Sequence, residues 1–226
     1  MIKVTDLGHQ VQLSGERLTL LRDVNLSIAT GESVAIVGKS GSGKTTLLGL
    51  LAGLDVPTSG SVELAGAPIS RWSEDQRAIH RANRVGFIFQ SFQLLPSLTA
   101  LENVMLPLEL SHVRQARQEA HDILDRVGLS QRLHHTPRQL SGGEQQRVAI
   151  ARAFASHPSV LFADEPTGNL DAETGHQVAD LLMALNREKG ATLVMVTHDE
   201  ELAARCDRQL RIEAGVLQGS AMGATA

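Results

Sequence analysis

Ser33-Val34-Ala35-Ile36-Val37 runs directly into Gly38-Lys39-Ser40-Gly41-Ser42-Gly43-Lys44-Thr45-Thr46, and this stretch decides the fold. The first part is small or β-branched throughout, which reads as a strand buried on both faces, as in a parallel sheet. Gly38 to Thr45 match G-x-x-x-x-G-K-[ST], and Lys44–Leu54 reads as the helix that should follow. The glycines let the backbone bend until its N–H groups point at phosphate oxygens. The helix N-terminus adds a partial positive charge at the same place. Lys44 is then a point cation for the β- and γ-phosphates, and the Thr45 hydroxyl is a ligand for Mg2+. The candidate ligand is a nucleoside triphosphate, held by Gly38 through Thr46.

Outward from this loop the pattern repeats. Val85–Phe89, Val160–Ala163 and Thr192–Val196 are further short apolar runs. Helical stretches lie between them at Gln115–Val127, Glu144–Ser156 and Thr174–Arg187. Buried strands separated by helices imply an α/β domain. The N-terminal part differs. Val4–Leu13 and Leu18–Ile28 read as antiparallel strands, joined by Ser61–Leu64 after the turn Thr58-Ser59-Gly60. The organisation expected is one domain over 1–226. Its core is about 1–90 and 157–218, with an inserted helical lobe about 91–156 and a frayed tail Gly219–Ala226.

Val160-Leu161-Phe162-Ala163-Asp164-Glu165 puts two carboxylates at the C-terminal end of a buried strand, where open α/β sheets bind ligands. Neighbouring strand residues point to opposite faces, so the two acids should have different jobs. Asp164 is assigned to the Mg2+ shell through water. Glu165 is assigned as the general base for an attacking water. Gln90 and His198 also close strands, at Val85–Phe89 and Thr192–Val196. From there the Gln90 amide can reach metal and water, and His198 can reach the γ-phosphate. The catalytic candidates are therefore Lys44, Gln90, Glu165 and His198, and the metal candidates Thr45, Gln90 and Asp164.

Ser141-Gly142-Gly143-Glu144-Gln145 is a second anion site in outline. Ser141 reads as the N-cap of the helix behind it, and two bare glycines would let an anion approach the first N–H groups. The phosphate loop is already complete without it. The economical reading is that Ser141, Gly142, Gly143 and Glu144 cap a γ-phosphate held by another copy of the chain.

The bulk numbers exclude other classes. With 226 residues and 42% hydrophobic residues there is material for a real core. A net charge of −4 gives no basic field for nucleic acid. Cys206 is the only cysteine, so no internal disulfide can form. It is expected to be a small buried residue on a late helix. No apolar run approaches the ~18–20 residues that a bilayer span needs, and no basic-then-apolar leader is visible. The expected location is peripheral, on the cytoplasmic face of the inner membrane through a partner. His134-His135 lacks other ligands at metal spacing and reads as a solvated pair. Arg71, Arg77, Arg81 and Arg84 read as a solvated helical face rather than a nucleic-acid surface, since aromatics are only 3% and only Trp72 interleaves with them. Leu98, Leu101, Val104 and Leu106 read as core plus partner groove.

The motif set Gly38–Thr45, Gln90, Leu140–Gln145, Asp164-Glu165, Asn169-Leu170-Asp171 and His198, in that order, resembles the ATPase subunit of an ABC transporter over about residues 1–218. Val85–Phe92, Leu94-Leu95-Pro96, Leu101–Val104 and Ala163–Asp171 resemble its MacB/LolD/FtsE branch, the type VII mechanotransmission class. Val196–Asp199 with Leu202–Arg208 is most similar to the YbbA subfamily. The resemblance implies the P-loop ABC ATPase fold: a RecA-like parallel-sheet core, a small antiparallel β-subdomain and an inserted helical subdomain. It implies ATP and Mg2+ as cofactors and a head-to-tail dimer with two sandwiched ATPs. Asp171 would reach across the interface. A membrane permease-type subunit would dock in a groove formed by Ser91 and the helices after it, and Gln90 would link that groove to the metal. Cargo would be hydrophobic, lipid-like or lipoprotein, or the chain would be an FtsE-like regulatory ATPase. A DNA-repair or translation ATPase would need a coiled-coil insertion or a second cassette. One departure stands out: family members usually stack an aromatic ring on adenine, and here Val11 aligns with that position.

Overall fold

The computed structural model describes residues 1–13 and 16–218. The expected frayed tail Gly219–Ala226 lies outside these. The elements in chain order are β1 (Ile2–Leu13), β2 (Glu16–Ile28), β3 (Ser33–Val37), α1 (Lys44–Leu51), β4 (Ser59–Leu64), α2 (Glu74–Arg84), β5 (Val85–Phe89), α3 (Ala100–Leu110), α4 (Ala116–Arg126), α5 (Gly142–Ala155), β6 (Val160–Asp164), α6 (Ala172–Lys189), β7 (Thr192–Val196), α7 (Glu200–Ala204), β8 (Arg208–Glu213) and β9 (Val216–Gln218). They form two compact units. Among the described residues, 1–81 and 192–218 belong to the first, and Ala82–Ala191 make the second.

In the first unit β1 pairs antiparallel with both β2 and β4, as the alternating N-terminal pattern requires. Its inward residues Ile2, Val4 and Leu7 pack with Val24, Ile28, Val62 and Leu64, all buried. The same unit holds β3 between β7 and β8, parallel to both, with β9 antiparallel on β8. Val34, Ala35 and Ile36 have no exposure at all, which is why this strand is apolar without alternation. The register Ile36↔Val196 brings β3 and β7 to an end together. The phosphate loop and His198 therefore leave the same sheet edge.

α1 is shorter than the expected Lys44–Leu54. Gly53, at φ 69, takes the left-handed position after the Ala52 cap. Its N–H donates to the Leu50 carbonyl and the Leu54 N–H to that of Gly49, which closes the helix. β4 begins at Ser59, inside the expected turn, because Gly60 at φ 77 lies against the backbone of Thr5 and Asp6.

In the second unit β5 and β6 are parallel, in register from Val85↔Val160 to Phe89↔Asp164. α5 lies on β5 so closely that a Cβ on Gly86 would sit 2.5 Å from the Ala153 carbonyl oxygen. α3 and α4 pack against α5 and each other. α3 starts at a capping box in which Thr99 Oγ1 accepts from the Glu102 N–H and the Glu102 carboxylate accepts from the Thr99 N–H. The segment 91–156 thus falls within a unit that also takes in β5, β6 and α6.

Two side-chain expectations are corrected. Arg77 is buried, at 8% exposure, and Arg81 is largely so. Both hold Glu74, while Arg77 also donates to the Trp72 carbonyl and Arg81 to that of Gly53. Periodicity alone placed them outward, whereas their guanidinium groups satisfy inward-facing carbonyls. Cys206 follows α7 rather than sitting on a helix, and it is half-buried.

Candidate functional site

The phosphate loop is built entirely within the first unit. Gly43 is the N-cap of α1 with φ 100, a conformation that side-chain-bearing residues rarely adopt. A Cβ there would also press within 3.0 Å of the Leu20 carbonyl and the Leu21 side chain. The loop is pinned on both sides. The Ser42 N–H donates to the Lys39 carbonyl at 3.2 Å, and the Gly215 N–H donates to the Ser42 carbonyl at 3.1 Å. Lys44 is buried, and its Nζ donates to the carbonyls of Gly38 (2.9 Å) and Lys39 (3.1 Å). Lys39, Ser40, Gly41 and Thr45 are exposed along the loop, with Gly38, Gly43 and Thr46 half-buried.

The loop fits a polyphosphate on its own chemistry. The Ser42 hydroxyl is buried with no hydrogen-bond partner among the described residues, a donor for which a phosphate oxygen is a suitable acceptor. Gly41, at φ 75, leaves open space where a side chain would stand. Thr45 in the first unit and Asp164 in the second each carry an oxygen of the hard kind that Mg2+ takes. His198 is exposed just past the end of β7, where Asp199 caps α7 by accepting from the N–H groups of Glu201 and Leu202.

The second unit carries the other candidates. The Phe89↔Asp164 register makes Gln90 and Glu165 emerge at one level of the β5–β6 edge. Strand alternation does not extend to Glu165, however. β6 ends at Asp164, and Glu165 has φ 47, the left-handed region. The different aims of the two acids come from that backbone turn, not from the pleat. The Gly168 N–H closes the turn on the Glu165 carbonyl at 3.0 Å, and Gln146 Nε2 donates to the Pro166 carbonyl at 2.6 Å. The exposed Gln90 exchanges hydrogen bonds with Asn169. Its Nε2 donates to Asn169 Oδ1 (3.2 Å), and Asn169 Nδ2 donates to the Gln90 carbonyl (2.9 Å). Asn169 and Gln146 were not singled out for roles from sequence. Only their place beside Asp171 and in the Ser-Gly-Gly helix could have suggested them.

Ser141 is the N-cap of α5, as expected. Its Oγ accepts from the Glu144 N–H, while the Glu144 carboxylate accepts from the Ser141 N–H (2.8 Å) and from Arg132 Nε (2.9 Å). The Ser141 N–H first, and then Arg132, hold the Glu144 carboxyl down to about 2. Both polar groups of Glu144 thus build the cap. The N–H groups of Gly142 and Gly143 belong to a first helical turn that has no intrahelical acceptor for them. Gly143 has a second reason to be glycine: a Cβ there would lie 2.4 Å from Thr174 Cγ2. Asp171 is exposed and caps α6, accepting from the Thr174 N–H at 3.0 Å. That hydrogen bond lowers its carboxyl pKa.

Residues 21–168 match the profile of the ABC transporter family. The chain belongs to that family. It is an ABC ATP-binding subunit, and its chemistry is ATP hydrolysis. The ABC transporter ATP-binding protein YbbA of Escherichia coli K12 is 55% identical over 223 residues, covering 98% of each chain. The lipoprotein-releasing system ATP-binding protein LolD of Bordetella pertussis is 49% identical over 219 residues, covering 96% of this chain and 95% of that one. The fold matches the ATP-binding cassette MJ0796, solved as a dimer in a post-hydrolysis state bound to ADP and Pi, with a TM-score of 0.91, 39% identity and full coverage of both chains. Among the described residues, no helix of this ABC subunit is long and apolar enough to cross a membrane.

Proposed function

We propose that this ABC ATPase is the motor subunit of a transporter, closing as a head-to-tail dimer on ATP and driving a membrane subunit that extracts or exports a lipid-like or lipoprotein cargo. One observation carries the reading: the chain builds two separate stretches suited to an anion, the loop around Lys44 and the Ser141-capped start of α5. A single copy needs only the first for its own nucleotide. The dimeric MJ0796 cassette and the lipoprotein-releasing LolD support the dimer and the cargo class respectively.

In this reading Gly38–Thr46 bind the triphosphate and Lys44 offsets the charge of its β- and γ-phosphates. Thr45, Gln90 and Asp164 would hold Mg2+, which when bound spreads the charge of those phosphates. Glu165 accepts the proton of the attacking water, and His198 orients the γ-phosphate. Ser141, Gly142 and Gly143 of the second copy complete the cradle, with Asp171 reaching across. The membrane subunit docks on the second unit, in the apolar groove lined by Phe87, Phe89, Leu106, Pro107 and Leu110.

Glu165→Gln tests this directly. It should bind Mg-ATP, stop turning over and run as a dimer in light scattering. A monomer at saturating Mg-ATP would overturn the reading.

A further inference from the structure

Two consecutive residues that are not glycine, Phe92 at φ 61 and Gln93 at φ 46, occupy the left-handed region just after Gln90. The Gln93 N–H donates to the Ser91 carbonyl at 2.6 Å, which tightens the turn further. Such positions persist only where surrounding structure imposes them. Here the neighbouring group is Arg152, about three turns of α5 beyond Ser141. Its Nη1 donates to the Gln93 carbonyl at 2.6 Å and its Nη2 to the Phe92 carbonyl at 2.9 Å. One planar guanidinium thus grips both strained residues through parallel bonds, a geometry that lysine cannot copy. The group is largely withdrawn from water, and that burial lowers its pKa. Among the described residues its hydrogen-bond partners are these two carbonyls, and none is a carboxylate.

We propose that Arg152 is a positioning residue: it clamps the Ser91–Gln93 turn to α5, and so fixes where Gln90 points and how the turn lines the partner groove. The second half of the statement rests on the role proposed for Gln90 above. Arg152 and Gln93 both line that groove, so a partner seated there presses on the clamp itself.

Steady-state ATPase of the full chain, titrated with Mg2+, is compared for wild type, Arg152→Gln, Arg152→Lys, Gln93→Gly and Arg152→Gln/Gln93→Gly. Amide hydrogen exchange over residues 91–94 is read in the same set. Arg152→Gln should lower kcat and raise the Mg2+ half-saturation by about tenfold, the usual scale for a residue that orients a ligand. Mg2+-free nucleotide affinity should stay within about twofold, because the phosphate loop is untouched. Arg152→Lys should recover part of the loss. Gln93→Gly should restore most of the activity in the double variant relative to Arg152→Gln, because glycine needs no holding at φ 46. A residue that merely filled the core would show no such rescue. Absence of rescue, or an Arg152→Gln enzyme with unchanged Mg2+ dependence and unchanged exchange, would overturn the proposal. Faster exchange over 91–94 with unchanged Mg2+ dependence would keep the clamp and remove the role of Gln90. If Arg152→Gln does not fold, Arg152→Lys with and without Gln93→Gly gives the same comparison.

Discussion

Gln146 reaches from a fully buried position on α5 to donate to the Pro166 carbonyl, one residue beyond Glu165. The helix that opens with the Ser141 cap therefore also braces the turn in which Glu165, the proposed general base, has its left-handed backbone. Replacing Gln146 with leucine would strand that carbonyl in apolar surroundings, at a cost of about 1–3 kcal/mol. We expect Gln146→Leu to bind ATP normally, since the phosphate loop is elsewhere, but to lose most of its kcat. Nucleotide titration beside steady-state ATPase separates the two. Equal losses in both would show that Gln146 supports the fold in general and not the Glu165 turn.

Gly143 is expected to be intolerant of a single methyl group. Gly143→Ala drives a Cβ toward Thr174 Cγ2, and overpacking of this kind costs about 1–3 kcal/mol. Thr174→Ser removes the opposing methyl and should restore stability in the double variant. Urea midpoints of the four proteins test this. If the double variant is no more stable than Gly143→Ala, the clash is not the cause.

The Glu144 carboxyl, held down to about 2 from an ordinary 4.5, links stability to pH. The folded state resists protonation there more than the unfolded chain does. Its contribution is complete above about pH 4.5 and is lost as pH falls toward about 2. Glu144→Gln should flatten the acid limb of a stability-against-pH curve within that window and leave the neutral region parallel to wild type. An unchanged acid limb would mean that the cap does not titrate as described.

Cys206 should be a sluggish nucleophile. Burial, reinforced by the adjacent Asp207 carboxylate, pushes its thiol up to about 11. Iodoacetamide should label the native protein slowly at neutral pH and much faster once it is unfolded. Equal rates in the two states would contradict a shielded thiol.

Val11 is half-buried on β1, opposite Leu18. If it stands where an aromatic would cover adenine, Val11→Tyr should tighten ATP by about 0.5–1.5 kcal/mol and improve discrimination over GTP. Unchanged affinities for both nucleotides would place adenine elsewhere.

How much of this was legible beforehand varied with the range of the interactions responsible. The phosphate loop, the buried strands Ser33–Val37 and Thr192–Val196, and the Ser141 cap are set by residues within a few positions of one another, and all were readable. β8 and β9 were not. Arg208–Glu213 alternates polar with apolar, and it becomes a strand because β3 supplies the parallel edge beside it. α1 stops early at Gly53 for a local reason that the apolar run around it concealed.

In the candidate site the misses were the residues that hold the candidates in place. Gln90, Asp164, Glu165 and His198 could be named because they end apolar runs. Asn169, which holds Gln90, and Arg152, which holds the turn behind it, lie 79 and 59–60 residues from the groups they bond. No periodicity reports a contact at that separation. The inward aim of Arg77 was hidden for a related reason: its acceptor on Trp72 is a backbone carbonyl, which every residue type possesses.

Lys44 offers its ammonium to two carbonyls of its own loop. A cation so housed has oxygens of its own chain as partners. In the role proposed for Lys44, capture of a triphosphate would exchange one set of oxygens for another rather than rescue a bare charge. That moderates the grip on ADP as well as on ATP, and a machine that must let go once per stroke depends on such moderation.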